Sequence, residues 1–345
     1  MYNSYVIIEA GCVFMDSALQ HDVALFCDSF LQLKRPLMWK TTSYYTKLCA
    51  LAYALEGRRP NMEEFLEALK VLKKKTGFFS YLRSARPYIA AFLLAGGKSP
   101  ETEIEKISHC YSVLKAAGFR SSTYLPIAAH TLYTTTAQGS EEAKAQAAHA
   151  IYREMKHNHP FLTSSDDYAS AVILASTDQP IDKIMAEVEN TYSLLRRSGF
   201  HIGNGLQFLS QMLIFDPASP EEKAVRCTFI KEKLRENKNR VSSMFYGTIG
   251  FLALTGDHWE NAVHKTLETL DYIKEHRCYR WGEREFHLLL SAALVCNHYS
   301  KVKDQSNSSL LRLGVGATIE AIIAAQTAAC CAAAAAGASA SASSK

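Results

Sequence analysis

Apolar residues recur every three or four positions along most of the chain, in two kinds of segment. In the first kind, charged residues fill the gaps, as they do around Ile184, Val188 and Tyr192. This spacing is typical of an amphipathic helix with one face against the rest of the protein. In the second kind, such as residues 168–175 (YASAVILA), almost every position is apolar. A helix that is apolar on most faces has to be buried on most faces.

The two kinds of segment alternate with a period of about forty residues, and prolines and glycines mark the boundaries. Prolines separated by multiples of forty are Pro60, Pro100, Pro180 and Pro220. The pairs at 118–119 and 199–200 (GF) stand at the other end of the amphipathic segments, and residues 159–161 (HPF) align with them. The glycine of a GF pair can end a helix in a left-handed conformation, and its phenylalanine can pack back onto the helix.

This alternation predicts an all-α protein. We expect an α/α helical-hairpin repeat array with repeats of about forty residues and six to seven hairpins, either an open superhelix or a partly closed toroid. The amphipathic helices would form an outer layer and the apolar helices an inner layer. Residues 1–299 would be the repeat domain, with residues 1–40 as its N-terminal cap. Residues 300–345 would add a linker, an Ala-rich C-terminal helix and a low-complexity tail.

Composition indicates which kinds of partner and which cellular compartment to expect. The 345 residues include 38 Lys and Arg against 34 Asp and Glu, so the net charge is +4 and nucleic acid is not an expected partner. The nine cysteines are odd in number and include no CxxC pair, which favours reduced thiols in a cytoplasmic protein. The N-terminus has no basic segment before its short apolar run, so we expect no signal peptide.

The Ala-rich stretch at residues 316–337 is long enough to be considered as a membrane span. It carries Glu320 and Gln326, and alanine is a strong helix former but a poor membrane anchor. We therefore expect a packed or partner-binding helix through which the chain could self-associate, and no membrane-spanning segment.

Motifs that would define an active site are missing from the sequence. It has no P-loop, HExxH, GxSxG, EF-hand loop or zinc-knuckle spacing, and we expect neither a cofactor nor a metal. His157 and His159 could ligate a metal together with Asp166 or Asp167, but a solvated turn is the better expectation.

The candidate binding residues lie in the loops that enter the apolar helices, which a helical-hairpin array would place on one rim. They are Arg83, Arg86, Tyr88, Arg120, Asp166, Asp167, Tyr168, Asn204, Gln207 and Arg284. The arginines could bind an anionic ligand or a peptide carboxylate. The tyrosines that recur at the starts of these helices are expected to pack inside, with each hydroxyl reaching the neighbouring repeat.

Two functions are compatible with this pattern. The first is a non-enzymatic scaffold that binds a protein or a small molecule, favoured by the repeat and by the missing catalytic motifs. The alternative is an enzyme of the α/α-toroid type. It would pair Asp166 or Asp167 with Glu283 or Glu285 at the rim of a central cavity.

Three segments resemble a known family: residues 155–175 (MKHNHPFLTSSDDYASAVILA), 198–213 (SGFHIGNGLQFLSQML) and 317–329 (ATIEAIIAAQTAA). They are similar to members of a bacterial family catalogued as domain of unknown function 4003, found mainly in Gram-positive bacteria. The likeness covers about residues 40–335. It implies a bacterial cytoplasmic protein and adds no activity, cofactor or site residue.

Overall fold

The computed structural model describes residues 16–76 and 82–302, and within these ranges it contains α-helices and short 3₁₀ turns but no β-strand. The helices are α1 (Ser17–Leu37), α2 (Ser43–Leu55), α3 (Met62–Thr76), α4 (Leu82–Ala95), α5 (Pro100–Ala117), α6 (Leu125–Thr135), α7 (Glu141–Asn158), α8 (Tyr168–Ala175), α9 (Ile181–Arg197), α10 (Asn204–Met212), α11 (Pro220–Glu236), α12 (Gly247–Ala253), α13 (Trp259–Lys274) and α14 (Arg284–Val302). The all-α prediction is confirmed for this part of the chain.

Local sequence signals account for many helix ends. Pro100 and Pro220 occupy the first position of α5 and α11, where a missing N–H costs nothing. Gly118 ends α5 with φ of 116°, a left-handed conformation that a side chain would disfavour. The Ser122 hydroxyl accepts the Leu125 N–H at 3.3 Å at the start of α6. These boundaries are those that the sequence predicts.

Odd-numbered and even-numbered helices differ in burial as the two hydrophobic patterns predict. In α9 the buried residues Ile184, Val188 and Leu195 lie on one face, and charged residues such as Asp182 and Arg197 are exposed. In α8 all eight residues are buried. The even-numbered helices therefore form the interior of the described structure.

The helices contact one another in a regular order. From α3 to α13 each odd-numbered helix packs on the next odd-numbered one, and from α2 to α14 each even-numbered helix packs on the next even-numbered one. In addition, α14 packs on α1 and α2, and α13 packs on α1. The first and last helices of the described chain are thus neighbours.

Three contacts across the junction of α1 and α2 with α13 and α14 are specific. The thiols of Cys27 and Cys278 lie 3.0 Å apart, sulfur to sulfur, in the interior. The Tyr44 and Phe286 rings meet edge to face with centroids 4.9 Å apart. The third contact is an ion pair of the Lys47 ammonium with the Glu283 carboxylate. The N-terminal helix, expected as a cap, therefore lies against both ends of the helix series.

The last helix of the described chain, α14, continues to Val302, past residue 300, where a linker was expected to start. The Ala-rich helix, the low-complexity tail and any self-association through them lie outside the described residues. None of the helices described at 16–76 and 82–302 is both long enough and apolar enough to cross a membrane.

Candidate functional site

Six loops within the described residues join an odd-numbered helix to the next even-numbered helix. We call them the loop rim: residues 38–42, 118–124, 159–167, 198–203, 237–246 and 275–283. Side chains connect three successive ones in chain order. Gln207 Nε2, at the start of α10, donates to Thr163 Oγ1 of the preceding loop at 2.9 Å. The Tyr246 hydroxyl, before α12, accepts the His201 N–H at 3.1 Å.

Four of the predicted residues, Asp166, Asp167, Asn204 and Gln207, meet where α8 and α10 begin. Asp167 Oδ2 accepts the Ser164 N–H at 2.9 Å, and the Ser164 hydroxyl donates to Asp166. Asn204 Nδ2 reaches Asp166 Oδ2 at 3.5 Å. Burial, and secondarily the charge of Asp166, raises the pKa of Asp167 to about 7. The sequence thus identified residues that come together, although part of their bonding caps the turn before α8.

Two glutamines on successive turns of α10 have unused hydrogen-bonding groups. Gln207 is 1% exposed, and its Oε1 has no partner in the described structure. Gln211 is 3% exposed, and neither its Oε1 nor its Nε2 has one. Gln211 borders a cleft whose other lining residues include Ser170, Phe208 and Met212 and whose free volume of about 10 Å³ matches roughly one water molecule. This cleft is too small for a larger ligand.

The predicted tyrosines are buried packing residues whose contacts cross to neighbouring elements. The Tyr88 hydroxyl lies 3.2 Å from Nδ1 of His130 on α6, and burial lowers the pKa of that histidine to about 3. Tyr168 packs edge to face on Phe119 with ring centroids 4.8 Å apart. The Tyr246 hydroxyl is used by the His201 backbone. The interior packing that the sequence predicts for these tyrosines is therefore present.

The predicted arginines do not converge in the described structure. Arg86 is buried, and its Nε donates to Thr76 Oγ1 at 2.8 Å. Arg284 Nη2 donates to the Lys238 carbonyl at 2.9 Å, so it holds a loop. Arg120 is exposed, and the side chain of Arg83 lies outside the described part of the structure. Arg86 and Arg284 are thus engaged by the protein itself.

The carboxylates of the enzyme alternative are held by different partners. Glu283 pairs with Lys47 and lies 3.5 Å from Arg280 Nη1. Glu285 accepts the Ser242 N–H at 3.0 Å. Asp166 and Asp167 bond instead within the turn before α8, as described above.

The Lys47–Glu283 pair itself was missed from the sequence. Lys47 is 0% exposed, its Nζ lies 3.2 Å from Ser43 Oγ, and it lies 5.3 Å from the centroid of the Phe30 ring. Burial lowers the pKa of Lys47, whereas the Glu283 carboxylate opposes that shift. The available signal was a single lysine within the otherwise apolar segment that became α2.

Large apolar side chains exposed on the loop rim were also missed. Ten large hydrophobic residues are exposed in the described structure, and six of them lie in these loops. The six are Met38 (55% exposed), Trp39 (90%), Phe161 (99%), Ile202 (60%), Met244 (41%) and Trp281 (84%). A tryptophan or phenylalanine in a short polar loop is the sequence signal that could have found them.

Charge is also distributed along the helix axes. The last turns of the odd-numbered helices, next to the loop rim, carry basic residues such as Lys34, Lys115 and Arg197. From α3 onward the first turns of the odd-numbered helices carry acidic residues such as Glu63 and Glu221. Both placements complement the helix dipole. Exposed basic residues within the loop rim are Lys40, Arg120, Lys238, Arg240, Arg277 and Arg280.

The described residues define an all-helical protein whose rim loops carry exposed apolar and basic side chains. The chain belongs to the family described as "Protein of unknown function (DUF4003)", whose model matches residues 29–328. The resemblance found in the sequence is therefore confirmed. The chain is also similar to "Uncharacterized protein YeaA" of Bacillus subtilis (strain 168), with 23% identity over 304 residues, 87% of this chain and 89% of that protein. No solved structure matches the chain.

Proposed function

We propose that the chain is a closed ring of seven helical hairpins, each made of one odd-numbered and the following even-numbered helix, and that it is a non-enzymatic binding scaffold. The loop rim is its docking face. The single observation that carries this function is that six of the ten large apolar side chains exposed in the described structure lie on these loops, because a concentration of exposed apolar groups favours an interaction surface.

Ring closure is supported by contacts between an even-numbered helix and the loop of the preceding hairpin. Tyr168 in α8 packs on Phe119 of the loop before α6, and Gln207 in α10 bonds Thr163 of the loop before α8. Lys47 in α2 bonds Glu283 of the loop before α14. A closed ring would account for this contact of the first hairpin with the last, because it is of the same kind as the two contacts between successive hairpins.

The basic side chains of the loop rim suggest a partner with negative charge. The near-neutral net charge of the whole chain does not reveal the positive charge of the loop rim, because acidic residues at the other ends of the odd-numbered helices balance that charge. Exposed cations around apolar tips attract an anionic surface over several ångströms and orient the approach. The docking proposed here needs no cofactor and no metal.

Retention of the full chain on heparin, a soluble polyanion immobilised on resin, tests the docking face. The rim variant is Arg120→Glu, Arg240→Glu and Arg277→Glu. The control, with the same change in net charge, is Arg59→Glu in the loop before α3, with Lys106→Glu and Lys183→Glu in the first halves of α5 and α9. We expect the rim variant to elute at clearly lower salt than wild type and the control to elute near it. Equal losses of retention in both variants would contradict a docking face at the rim.

The enzyme alternative retains one favourable observation. The pKa of Asp167, which lies beside Asp166, is raised to about 7. A carboxylic acid with such a pKa can donate a proton near neutral pH. Hydrolysis of 4-nitrophenyl glycosides by the wild type, lost in Asp167→Asn, would support this second candidate. The same slow rate in both proteins would count against it.

A further inference from the structure

We propose that the loop rim docks on the surface of an anionic lipid bilayer, with its exposed apolar side chains entering the interfacial layer. This inference rests on the docking face of the proposed function and specifies the partner. It is carried by the type, exposure and arrangement of the rim side chains.

The exposed apolar residues are of the kinds that enter a membrane interface. Two of the three tryptophans of the chain, Trp39 and Trp281, lie on the rim and are 90% and 84% exposed. Tryptophan favours the level of lipid headgroups, where its ring is buried and its N–H remains hydrated. Phe161, 99% exposed, presents a fully apolar ring in the same way.

Aliphatic members of the set favour lipid over nucleic acid. Ile202 is 60% exposed and Met38 is 55% exposed, and neither side chain offers the flat ring on which a base stacks. Both can enter acyl chains. A nucleic acid would use only the aromatic part of the surface, whereas a bilayer uses all of it.

The exposed apolar side chains, which we call the tips, lie at separate points on the loops of the rim. Phe161, Ile202 and Met244 lie on three successive loops of the rim, which the contacts of Gln207 and Tyr246 join in chain order. The Lys47–Glu283 pair brings the loop that carries Trp281 to α2, which follows the loop of Trp39. Shallow insertion at several points suits a flat lipid surface better than a single pocket on a protein.

The charge distribution sets the orientation. Basic residues adjoin the two tryptophans in the sequence, Lys40 beside Trp39 and Arg280 beside Trp281, and both are exposed. Each basic side chain close to an anionic leaflet strengthens binding. This electrostatic contribution decreases as the salt concentration rises. The acidic first turns at the opposite ends of the odd-numbered helices would face away from the lipid. The proposed attachment through the rim is shallow and peripheral.

The experiment uses the full chain carrying Trp259→Phe, so that Trp39 and Trp281 alone report by fluorescence. The probes are vesicles of phosphatidylcholine and vesicles with about equal parts of phosphatidylglycerol. We expect flotation with the anionic vesicles only, reversed by salt. We also expect tryptophan emission to shift to shorter wavelength and to be quenched by brominated lipid. Flotation without quenching would overturn the insertion of these tips.

Matched variants assign the effect to the rim. Trp39→Ala with Trp281→Ala should weaken vesicle binding by about tenfold or more, because both interfacial anchors are removed. The control, Val225→Ala with Phe229→Ala, removes two apolar side chains exposed at 55% and 58% on the face of α11 and should leave binding unchanged. Equal effects of the two pairs would overturn the proposal. Circular dichroism checks that all variants remain folded.

The membrane proposal and the docking proposal can fail separately. If the chain ignores anionic vesicles but its heparin retention still depends on Arg120, Arg240 and Arg277, the membrane partner is wrong and the docking face survives. Stronger binding to a single-stranded oligonucleotide, weakened by Trp39→Ala with Trp281→Ala, would assign the rim to nucleic acid instead. If heparin retention is also independent of the rim, both proposals are wrong.

Discussion

Lys47 and Glu283 form a buried ion pair between residues 236 positions apart, with side chains that are 0% and 9% exposed. The lysine belongs to α2 and the glutamate to the turn before α14. Removing both charges from water is costly, and only a close partner offsets that cost. The pair therefore makes the junction of the first and last helices sensitive to the loss of either side chain.

Removing one partner of this ion pair should destabilise the protein far more than replacing both partners with apolar side chains. We expect Glu283→Gln to lower the free energy of unfolding by roughly 3–5 kcal/mol, because the buried Lys47 ammonium loses its counter-charge. The double variant Lys47→Met with Glu283→Leu should recover much of that loss in urea unfolding. Lys70→Ala, which breaks the exposed pair with Glu67, should match wild type. A double variant no more stable than Glu283→Gln would contradict this.

Local features of the fold were predictable because they are determined by neighbouring residues. The apolar segment 168–175 coincides with α8, and a glycine is the residue that tolerates the left-handed end of α5 at Gly118. Hydrophobic spacing fixes which face of a helix is buried, so α9 could also be predicted. These signals do not depend on the rest of the chain.

Long-range features could not be predicted from the same pattern. Residues 159–161 align with the GF pairs, yet Phe161 is 99% exposed, whereas Phe119 and Phe200 are buried. In the same loop Thr163 is 1% exposed, and its hydroxyl accepts a hydrogen bond from Gln207, more than forty residues later. Lys47 resembles a charged residue at a helix start until its partner Glu283 is known. Such pairings leave no periodic trace in the sequence.

Asp167 should make stability depend on pH. Its pKa rises from an ordinary value of 3.8 to about 7 on folding, so the folded state holds the proton more tightly than the unfolded chain. Its contribution to the free energy of unfolding is therefore fully present below the lower value and falls as pH rises toward the upper one. Asp167→Asn keeps an oxygen for the Ser164 N–H and removes the titration.

We expect the stability of Asp167→Asn relative to wild type to increase by roughly 2–4 kcal/mol between these two pH values, measured by urea unfolding in matched buffers. Asp166→Asn should weaken the pH dependence of the wild type, since the Asp166 charge contributes to the raised pKa of Asp167. A constant difference between Asp167→Asn and wild type across the range would show that Asp167 ionises normally.

The buried side-chain amide of Gln211 should lower the stability of the folded protein. Both polar atoms of its amide are buried without a partner in the described structure, and such groups cost about 1–3 kcal/mol each when left unpaired. We expect Gln211→Leu to raise the thermal midpoint, because leucine fills similar space without that penalty. Gln207→Leu is the matched comparison and should gain less, since Gln207 loses its bond to Thr163. A lower midpoint for Gln211→Leu would mean that the amide is bonded to water in the adjoining cleft.

Gly205 should tolerate no side chain, because a Cβ there would overlap the backbone carbonyl of Ser243. That carbonyl belongs to the turn before α12 and has little freedom to move, so α10 would have to shift away from its neighbour. We expect Gly205→Ala to lower the free energy of unfolding by about 1–3 kcal/mol or more. Gly282→Ala, where a Cβ would meet nothing within 4 Å, is the control and should match wild type in the same chemical unfolding series. Equal stability of the two variants would show that α10 and the turn at Ser243 are packed less closely than the structure places them.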